Sequence, residues 1–258
     1  MLISLIICTL GERMFEFSRL IDSLKEQLFK NFEIIVVSQI NHSDIATILE
    51  NSELRYKHVR IEKKGLSLAR NIGFMHVSGD FCTISDDDCW YPKDSLLKVS
   101  KFLTSTGNKV LTFKILDPIH EIPYKDNYSD NVQKLTRFTI GRVSSIELFF
   151  STELIKGGLR FDEKFGLGAQ YSAGEENIFL SDIIKRKYTI QYIPENIVYH
   201  LRPSKSKSKL TLVRMTTIFM TFLRMYGWIG IPLYYMFYIK HYFIIVDKLR
   251  ALYPFFFV

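Results

Sequence analysis

The amino-acid sequence predicts an α/β fold in which a mainly parallel sheet is flanked by helices and followed by an apolar helical tail. Apolar runs rich in Ile and Val alternate with segments whose apolar residues recur every three or four positions. Strands separated by helices in this way usually pair in parallel, with helices on both faces of the sheet. At 258 residues and 47% apolar composition, the chain is long enough for one domain with a hydrophobic core and an appendage.

The chain up to Pro92 contains alternating predicted strands and helices. Leu2–Cys8 and Phe32–Val37 are continuous apolar runs, as expected for strands buried on both faces of a sheet. The apolar residues of the segment between them have helical spacing. The other predicted boundaries are Phe15–Leu28, Ile45–Leu54 and Ser67–Val77 for helices, and Val59–Glu62 and Phe81–Ile84 for strands.

After Pro92 the pattern is mixed and does not repeat the first half. A polar segment with Pro, Asn and Asp, Pro118–Gln133, is predicted to be a loop. The predicted helices are Asp94–Leu103 and Phe179–Lys187, and the predicted strands are Val110–Ile115, Ser144–Ser151, Thr189–Ile193 and Ile197–His200.

The net charge of +7 is unevenly distributed, because Leu201–Arg214 contains five basic and no acidic residues. A basic stretch beside an aromatic-rich apolar stretch favours an anionic membrane surface as partner rather than nucleic acid. We find no nucleic-acid-binding motif, so no nucleic-acid partner is expected.

The three cysteines form no disulfide pattern and are predicted to be reduced core residues of a cytoplasmic protein. The segment Met1–Leu10 is apolar but short and has no basic leader, which favours a first strand over a signal peptide.

The tail has three possible environments. Met225–Ile239 contains no charged residue but is shorter than the ~20 residues that span a bilayer. It is rich in Tyr and Trp, which favour the membrane interface. We expect a helix or helical hairpin lying in the membrane surface; packing against the domain or a partner chain, and a true span, are the alternatives.

Three adjacent carboxylates, Asp86, Asp87 and Asp88, follow the predicted strand Phe81–Ile84. Open α/β sheets bind ligands at the carboxyl ends of their strands. Crowded carboxylates raise one another's pKa, and a divalent cation or hydrogen-bond donors relieve that cost. The alternative is a solvated Asp-rich turn in which Asp88 caps a helix.

Several motifs occur in a characteristic order along the chain. They are Leu5–Leu10 with Glu12-Arg13, Phe32–Val37, Gly65–Gly73, Ser78–Phe81 and Ser85–Pro92. This ordered set resembles the family 2 glycosyltransferases, which are inverting enzymes with the GT-A fold, over roughly Ile3 to Pro203. The resemblance implies a nucleotide-sugar donor and a Mn²⁺ or Mg²⁺ ion held by a DxD motif.

The resemblance also implies roles for the carboxylates that follow the fourth strand. Asp86 and Asp88 have the DxD spacing, with Asp88 on the metal and Asp86 or Asp87 near the ribose. When the motif is aligned on Trp90–Pro92, Ser85 falls where the family has its first Asp, so the division of roles among the three carboxylates stays open.

Three further positions match family residues. The resemblance places Arg70 near the donor diphosphate, Glu176 beside Glu175 as the catalytic base, and His200 as a further metal ligand or phosphate contact. The structural alternatives are a surface helix arginine, acids at a helix N-terminus and a histidine at a strand end.

One departure from the family concerns base recognition. The family carries an Asp after the second strand that reads the nucleobase, whereas this chain has Ser38-Gln39 there. We therefore expect Gln39, Thr9 or Glu12 to take part in donor binding.

Together these features predict an inverting, metal-dependent glycosyltransferase that acts on a glycan or lipid-linked acceptor in surface polysaccharide or glycolipid synthesis. The catalytic domain is predicted at residues 1–203, with a nucleotide-sugar-binding half (1–92) and an acceptor-binding half (93–203). The basic, aromatic tail at 204–258 is predicted to hold the enzyme peripherally on the inner face of the cell membrane. The alternatives are a non-catalytic homologue that supports a partner enzyme and a sugar-phosphate nucleotidyltransferase.

Overall fold

The computed structural model describes residues 1–203 and 211–240. The chain divides into two compact units, Met1–Ser208 and Lys209–Val258. Residues 204–210, which hold much of the predicted basic stretch, and residues 241–258 of the predicted tail lie outside the described residues.

The first unit alternates strands and helices as the sequence predicts. Its strands are β1 (Ile3–Thr9), β2 (Phe32–Ser38), β3 (Tyr56–Arg60), β4 (Phe81–Asp86), β5 (Val110–Asp117), β6 (Ile122–Pro123), β7 (Gln133–Leu135), β8 (Leu148–Ser151) and β9 (Ile190–Tyr199). Its helices are α1 (Met14–Lys25), α2 (His42–Glu50), α3 (Leu66–Phe74), α4 (Ser95–Thr106), α5 (Thr152–Lys156) and α6 (Glu175–Lys185), with 3₁₀ turns at Ile140–Arg142 and Ser145–Glu147.

The strands form one sheet in the order β3-β2-β1-β4-β8-β5-β9-β7, with β6 paired to β5. The half built from β1, β2, β3 and β4 is entirely parallel. Strand β8 runs antiparallel to both β4 and β5, whereas β5 and β9 are parallel. The predicted α/β class with a mainly parallel sheet is confirmed, and β8 is the antiparallel strand that joins the two parallel groups.

Burial explains why the strands β1 and β2 could be predicted from the sequence. Every residue of β1 and of β2 is buried, and α1 packs its apolar face, including Phe17 and Leu20, into the core. The middle of these strands is apolar, and their polar residues lie at the two ends: Ser4 and Glu33 near the amino ends, and Thr9 and Ser38 at the carboxyl ends, where open α/β sheets bind ligands.

The structure corrects five predicted elements. Strand β3 is Tyr56–Arg60 rather than Val59–Glu62, because it is an edge strand whose exposed residues obscure the apolar pattern. The two strands predicted at 189–193 and 197–200 are one strand, β9, whose register against β5 shifts near Pro194, so that a bulge accommodates the proline.

The other three corrections concern shorter segments. The first residues of the predicted strand Ser144–Ser151 form the 3₁₀ turn Ser145–Glu147, since Ser144 and Glu147 make a capping box that favours a helical turn. The segment predicted as a loop from Pro118 contains the short strand β6, and helix α6 begins at Glu175, before the predicted start at Phe179.

The described part of the second unit is helical. Helix α7 (Leu212–Tyr226) is followed by a 3₁₀ turn, Gly227–Ile229, and by helical residues 230–240. The Phe219 and Tyr234 ring centroids lie 5.1 Å apart, so the two helical segments pack as a hairpin. A side chain at Gly230 would meet the Phe222 carbonyl oxygen at 2.3 Å, and glycine permits this close approach.

The predicted apolar helical tail is therefore present. Within residues 1–203 and 211–240, none of the helices has the length and apolar character needed to cross a membrane.

Candidate functional site

A cavity of about 260 Å³ opens at the carboxyl ends of the parallel strands. The predicted site residues that line it are Glu12, Gln39, Asp86, Asp87, Asp88 and His200. Arg13 and Lys64, which the sequence analysis did not assign to the site, also line it. The topology brings these residues together because β1, β2 and β4 are neighbours that all run in the same direction.

Asp87 is an anchored carboxylate. It is 5% exposed, accepts a 2.6 Å hydrogen bond from the Thr9 hydroxyl, and lies 2.9 Å from the Arg13 guanidinium. Burial raises the pKa of Asp87, although the Thr9 hydrogen bond and the Arg13 charge oppose the rise. The Thr9 hydroxyl also accepts a hydrogen bond from the Gly11 amide. Thr9 and Asp87 therefore both use their polar groups in contacts within the protein.

Asp88 lies between two cationic side chains. One carboxylate oxygen is bound by Arg13, and the other lies 3.1 Å from Nε2 of His200. Burial alone would raise the pKa of Asp88, but the hydrogen bond and charge of His200 and the charge of Arg13 outweigh it and lower the pKa. The pKa of His200 is raised by Asp88 against the opposing effect of burial. The two groups therefore favour their charged forms together.

Arg70 is a buried cation surrounded by carboxylates. It is 1% exposed, and its guanidinium nitrogens lie 3.4 Å from Asp86, 3.6 Å from Glu175 and 3.7 Å from Glu176. Removal of water around Asp86 raises its pKa, Arg70 lowers it, and Glu176 raises it further. Burial and the charge of Glu176 likewise raise the pKa of Glu175. Arg70 thus balances the charge of three acids contributed by β4 and α6.

Glu176 is held by one residue of the 3₁₀ turn. Ser145 donates to the same oxygen, Oε1, from its backbone nitrogen at 3.0 Å and from its hydroxyl at 2.6 Å. The Ser145 hydroxyl also accepts a 2.9 Å hydrogen bond from Arg70. Ser145 is 3% exposed, and it therefore links the acid predicted as the base to the buried arginine.

The residues predicted for base recognition differ in availability. Gln39 is 6% exposed, lines the cavity and accepts a 2.7 Å hydrogen bond from the Gly65 amide. Its NH₂ group makes no hydrogen bond within the part of the chain that the structure describes. Glu12 is exposed at the cavity, while the Thr9 hydroxyl is occupied as described above. The Ser38 hydroxyl lies 2.6 Å from His42 and 2.7 Å from His58, so it is used within the protein.

Sequence reasoning missed Arg13 and Ser145 as parts of the site. The position of Arg13 after the first strand, within a family motif, indicated a role in the site, although only its neighbour Glu12 was predicted to bind the donor. Nothing in the sequence indicated a role for Ser145, because it lies in a segment predicted as a strand and its partners are remote along the chain.

The side chains at the cavity can supply only some of the ligands that a divalent cation needs. Among residues 1–203 and 211–240, no group of three or more His, Cys, Asp or Glu side chains is arranged to hold a metal ion. The carboxylate oxygens of Asp86 and Asp88 are the hard ligands that Mg²⁺ and Mn²⁺ prefer, and Mg²⁺ is often held by one or two carboxylates together with substrate phosphates. A site of that kind fits these residues, with the remaining ligands supplied by a bound diphosphate and water.

Comparison with known structures identifies the fold. The S. aureus TarS fragment 1–349 superposes with a TM-score of 0.69 at 19% identity, over 87% of this chain and 65% of that one. The mannosyltransferase PcManGT from Pyrobaculum calidifontis, solved in complex with GDP-Man and Mn²⁺, superposes with a TM-score of 0.65 at 17% identity, over 86% of this chain and 63% of that one. The GT-A fold predicted from the resemblance is confirmed.

Sequence comparison identifies the family. The glycosyltransferase GlyA of Streptococcus pneumoniae serotype 4 is 38% identical over 77 residues, which are 29% of this chain and 11% of that protein. The chain thus spans only part of the relatives it matches. The family model described as glycosyl transferase family 2 matches residues 4–174, which include the cavity residues on β1, β2 and β4 together with Arg70 and Ser145. The chain belongs to glycosyl transferase family 2.

Proposed function

We propose that this protein is an inverting, metal-dependent glycosyltransferase that moves a sugar from a nucleotide-sugar donor to a glycan or lipid-linked acceptor. The observation that carries the proposal is the grouping of Asp86, Glu175 and Glu176 around buried Arg70, next to the cavity that Asp86 and Asp88 line. Family membership supports the donor side of the proposal, because the match over residues 4–174 covers Arg70 and Asp86. Glu175 and Glu176 lie beyond the match, so the role of the base rests on the resemblance and on the contacts of Glu176.

Glu176 has the environment that a general base needs in a direct displacement. Ser145 and Arg70 engage Oε1, and in the described part of the chain no hydrogen bond reaches Oε2. About 29% of the side chain is exposed, although Glu176 does not itself line the 260 Å³ cavity. The proposal is that an acceptor hydroxyl approaches Oε2 from this exposed side. In the proposed reaction Glu176 takes the hydroxyl proton as the oxygen attacks the sugar. Glu175 is more deeply buried and paired with Arg70, and it has a supporting electrostatic role.

Positive charge at the cavity suits a leaving nucleoside diphosphate. Arg13, with 52% of its side chain exposed, and Lys64 line the cavity, where they can approach phosphate oxygens. Arg70 is buried among its acidic neighbours, which leaves little of its guanidinium accessible to a ligand. Its contact with the diphosphate, which the resemblance implies, is therefore proposed and is not seen in the structure. Asp86 and Asp88 are the residues proposed to hold the metal, and His200 would join them as a ligand only in its neutral form, after release of the proton that Asp88 favours. A bound Mn²⁺ or Mg²⁺ ion would neutralise charge that develops on the departing diphosphate.

The tail is proposed to bind the anionic surface of the inner face of the membrane and thereby bring the site to a lipid-linked acceptor. Trp228 and Ile229, at the turn of the hairpin, are 85% and 69% exposed, and Met236 is 66% exposed. Exposed aromatic and aliphatic side chains of this kind can enter the headgroup region.

The test is a panel of nucleotide sugars with and without Mn²⁺. UDP-GlcNAc and GDP-Man, the ligands named in complexes of structural neighbours, are the first donors to try. The cognate donor should raise the melting temperature in a Mn²⁺-dependent manner and should be hydrolysed slowly without acceptor. Binding without any turnover, with or without acceptor extracts, would instead favour the non-catalytic homologue.

A further inference from the structure

Ser145 lies between two groups on which the proposed reaction depends. Its hydroxyl donates to Glu176 at 2.6 Å and accepts from Arg70 at 2.9 Å, and its backbone nitrogen also donates to Glu176. All three bonds are made by a side chain and backbone that are almost completely buried. The contact with Arg70 is buried, whereas the two contacts with Glu176 are part-buried because that side chain is 29% exposed. Hydrogen bonds to charged groups such as these are stronger than bonds between neutral groups.

The two bonds to Glu176 have a directional consequence. Both end on Oε1, so they restrain rotation of the carboxylate and leave Oε2 as the oxygen available to a substrate. A base that is held in one orientation loses less freedom when it takes a proton. The hydroxyl of Ser145 is suited to this task because it can donate to a carboxylate and accept from a guanidinium at once.

Ser145 is itself held by a buried network. The 3₁₀ turn that carries it is closed by a capping box, in which Glu147 accepts a 2.9 Å hydrogen bond from the Ser144 amide. The Glu147 carboxylate, 1% exposed, also accepts from Lys125 at 2.6 Å and from the Tyr128 hydroxyl. The segment between β6 and β7 thus supports the turn through Glu147.

We propose that Ser145 is a positioning residue that orients the Glu176 carboxylate, and that Glu147 keeps Ser145 in place through the capped turn. This inference rests on the proposed role of Glu176 as the base. It adds a residue that touches no reacting atom and acts through Glu176.

The experiment is a double-mutant cycle on the full chain, using turnover of the cognate nucleotide sugar as the readout. Ser145→Ala should lower kcat about 10-fold and change the donor KM by less than about 2-fold, because orientation of the base affects the chemical step rather than donor binding. In the Glu176→Gln background, Ser145→Ala should have little further effect, because its role is exerted through the lost carboxylate. Glu147→Gln, which leaves the Ser145 hydroxyl in place, should show a smaller loss with the same dependence on Glu176.

Ser181→Ala is the matched control. Ser181 is a fully buried serine on α6, the helix that carries Glu176, and among residues 1–203 and 211–240 its hydroxyl has no hydrogen-bond partner. This variant should keep the kcat of the parent protein.

Two results would overturn the proposal: an unchanged kcat in Ser145→Ala, or a further 10-fold loss when Ser145→Ala is added to Glu176→Gln. Failure of the proposed function gives a different result. Either Glu176→Gln would turn over the donor as fast as the parent protein, or the parent protein would show no turnover at all. In both cases the positioning role of Ser145 would be rejected as well.

Discussion

The Arg70 guanidinium lies 3.4 Å from the Asp86 carboxylate, although the two residues belong to different elements, α3 and β4. This contact joins the end of a parallel strand to the acids of α6, since Arg70 also faces Glu175 and Glu176. The strand-end carboxylates and the proposed base therefore share one counter-ion, and a change to any of them alters the charge balance of the others.

Asp88→Ala is expected to abolish Mn²⁺-dependent nucleotide binding and transfer while the protein stays folded. Its pKa is lowered by His200 and Arg13, so the ionised group is favourably paired and its loss should cost about 1 kcal/mol of stability. Isothermal titration with nucleotide at several Mn²⁺ concentrations, beside a thermal melt, measures both effects. Undiminished Mn²⁺ dependence in the variant would remove Asp88 from the metal site.

Glu176→Gln is expected to keep donor binding and to reduce turnover by roughly 10²-fold or more, because the amide has nearly the same size but cannot accept the proton. The matched variant is Glu175→Gln, which alters the more buried neighbour that pairs with Arg70 and should cost less. Steady-state kinetics with the cognate donor compare the two. Equal losses in both variants would show that the pair acts as one electrostatic unit and not through a single base.

Asp117 gives the protein an acid-sensitive anchor. It is fully buried and accepts hydrogen bonds from the amides of Ile119, His120 and Arg202 and from the His120 ring, and these outweigh burial and lower its pKa to about 2. Because the folded-state pKa lies below the unfolded value of 3.8, the ionised group stabilises the fold above pH 3.8, and this contribution is lost as the pH falls towards 2.

Asp117→Asn should therefore lower the free energy of unfolding at pH 7 by about 1–2 kcal/mol, and the difference from the parent should shrink as the pH falls from 4 to about 2. Urea unfolding across this pH range measures it. Asp130→Asn is the control, since Asp130 is 95% exposed and pairs only at the surface with Lys114. A difference that is constant with pH would mean that Asp117 stabilises by packing and not by charge.

The tail is expected to confer binding to anionic membranes. A chain that ends at Ser208, the boundary of the first unit, should keep nucleotide binding and lose co-sedimentation with anionic liposomes. In the full chain, Trp228→Ser should weaken liposome binding several-fold without altering the melting temperature, because this side chain is 85% exposed. Aggregation of the shortened chain together with loss of nucleotide binding would show that the tail completes the core or an oligomer interface.

The apolar pattern of the chain was sufficient to predict β1, β2 and β4 in the parallel half of the sheet, and the position of the carboxylates at the end of β4. Because β1 and β2 are buried throughout, their apolar runs identify them as strands without any knowledge of their neighbours. A strand that ends at Asp86 and continues into Asp87 and Asp88 puts these acids at the ligand-binding edge of the sheet. The ordered motifs were enough to predict the family and its fold.

The contacts that hold the site together could not be predicted from the sequence, because they join segments that are far apart along the chain. Arg13 reaches Asp88, 75 positions away, and Ser145 reaches Arg70 over the same separation, whereas periodicity reports only local neighbours. The direction of strand β8 could not be predicted for the same reason. Its four residues are too few to indicate a direction, and its pairing with β4 and β5 depends on the order of strands in the whole sheet. The order of apolar and polar residues along the chain shows which positions are buried. Polar contacts between remote segments form only when the folded core brings those segments together.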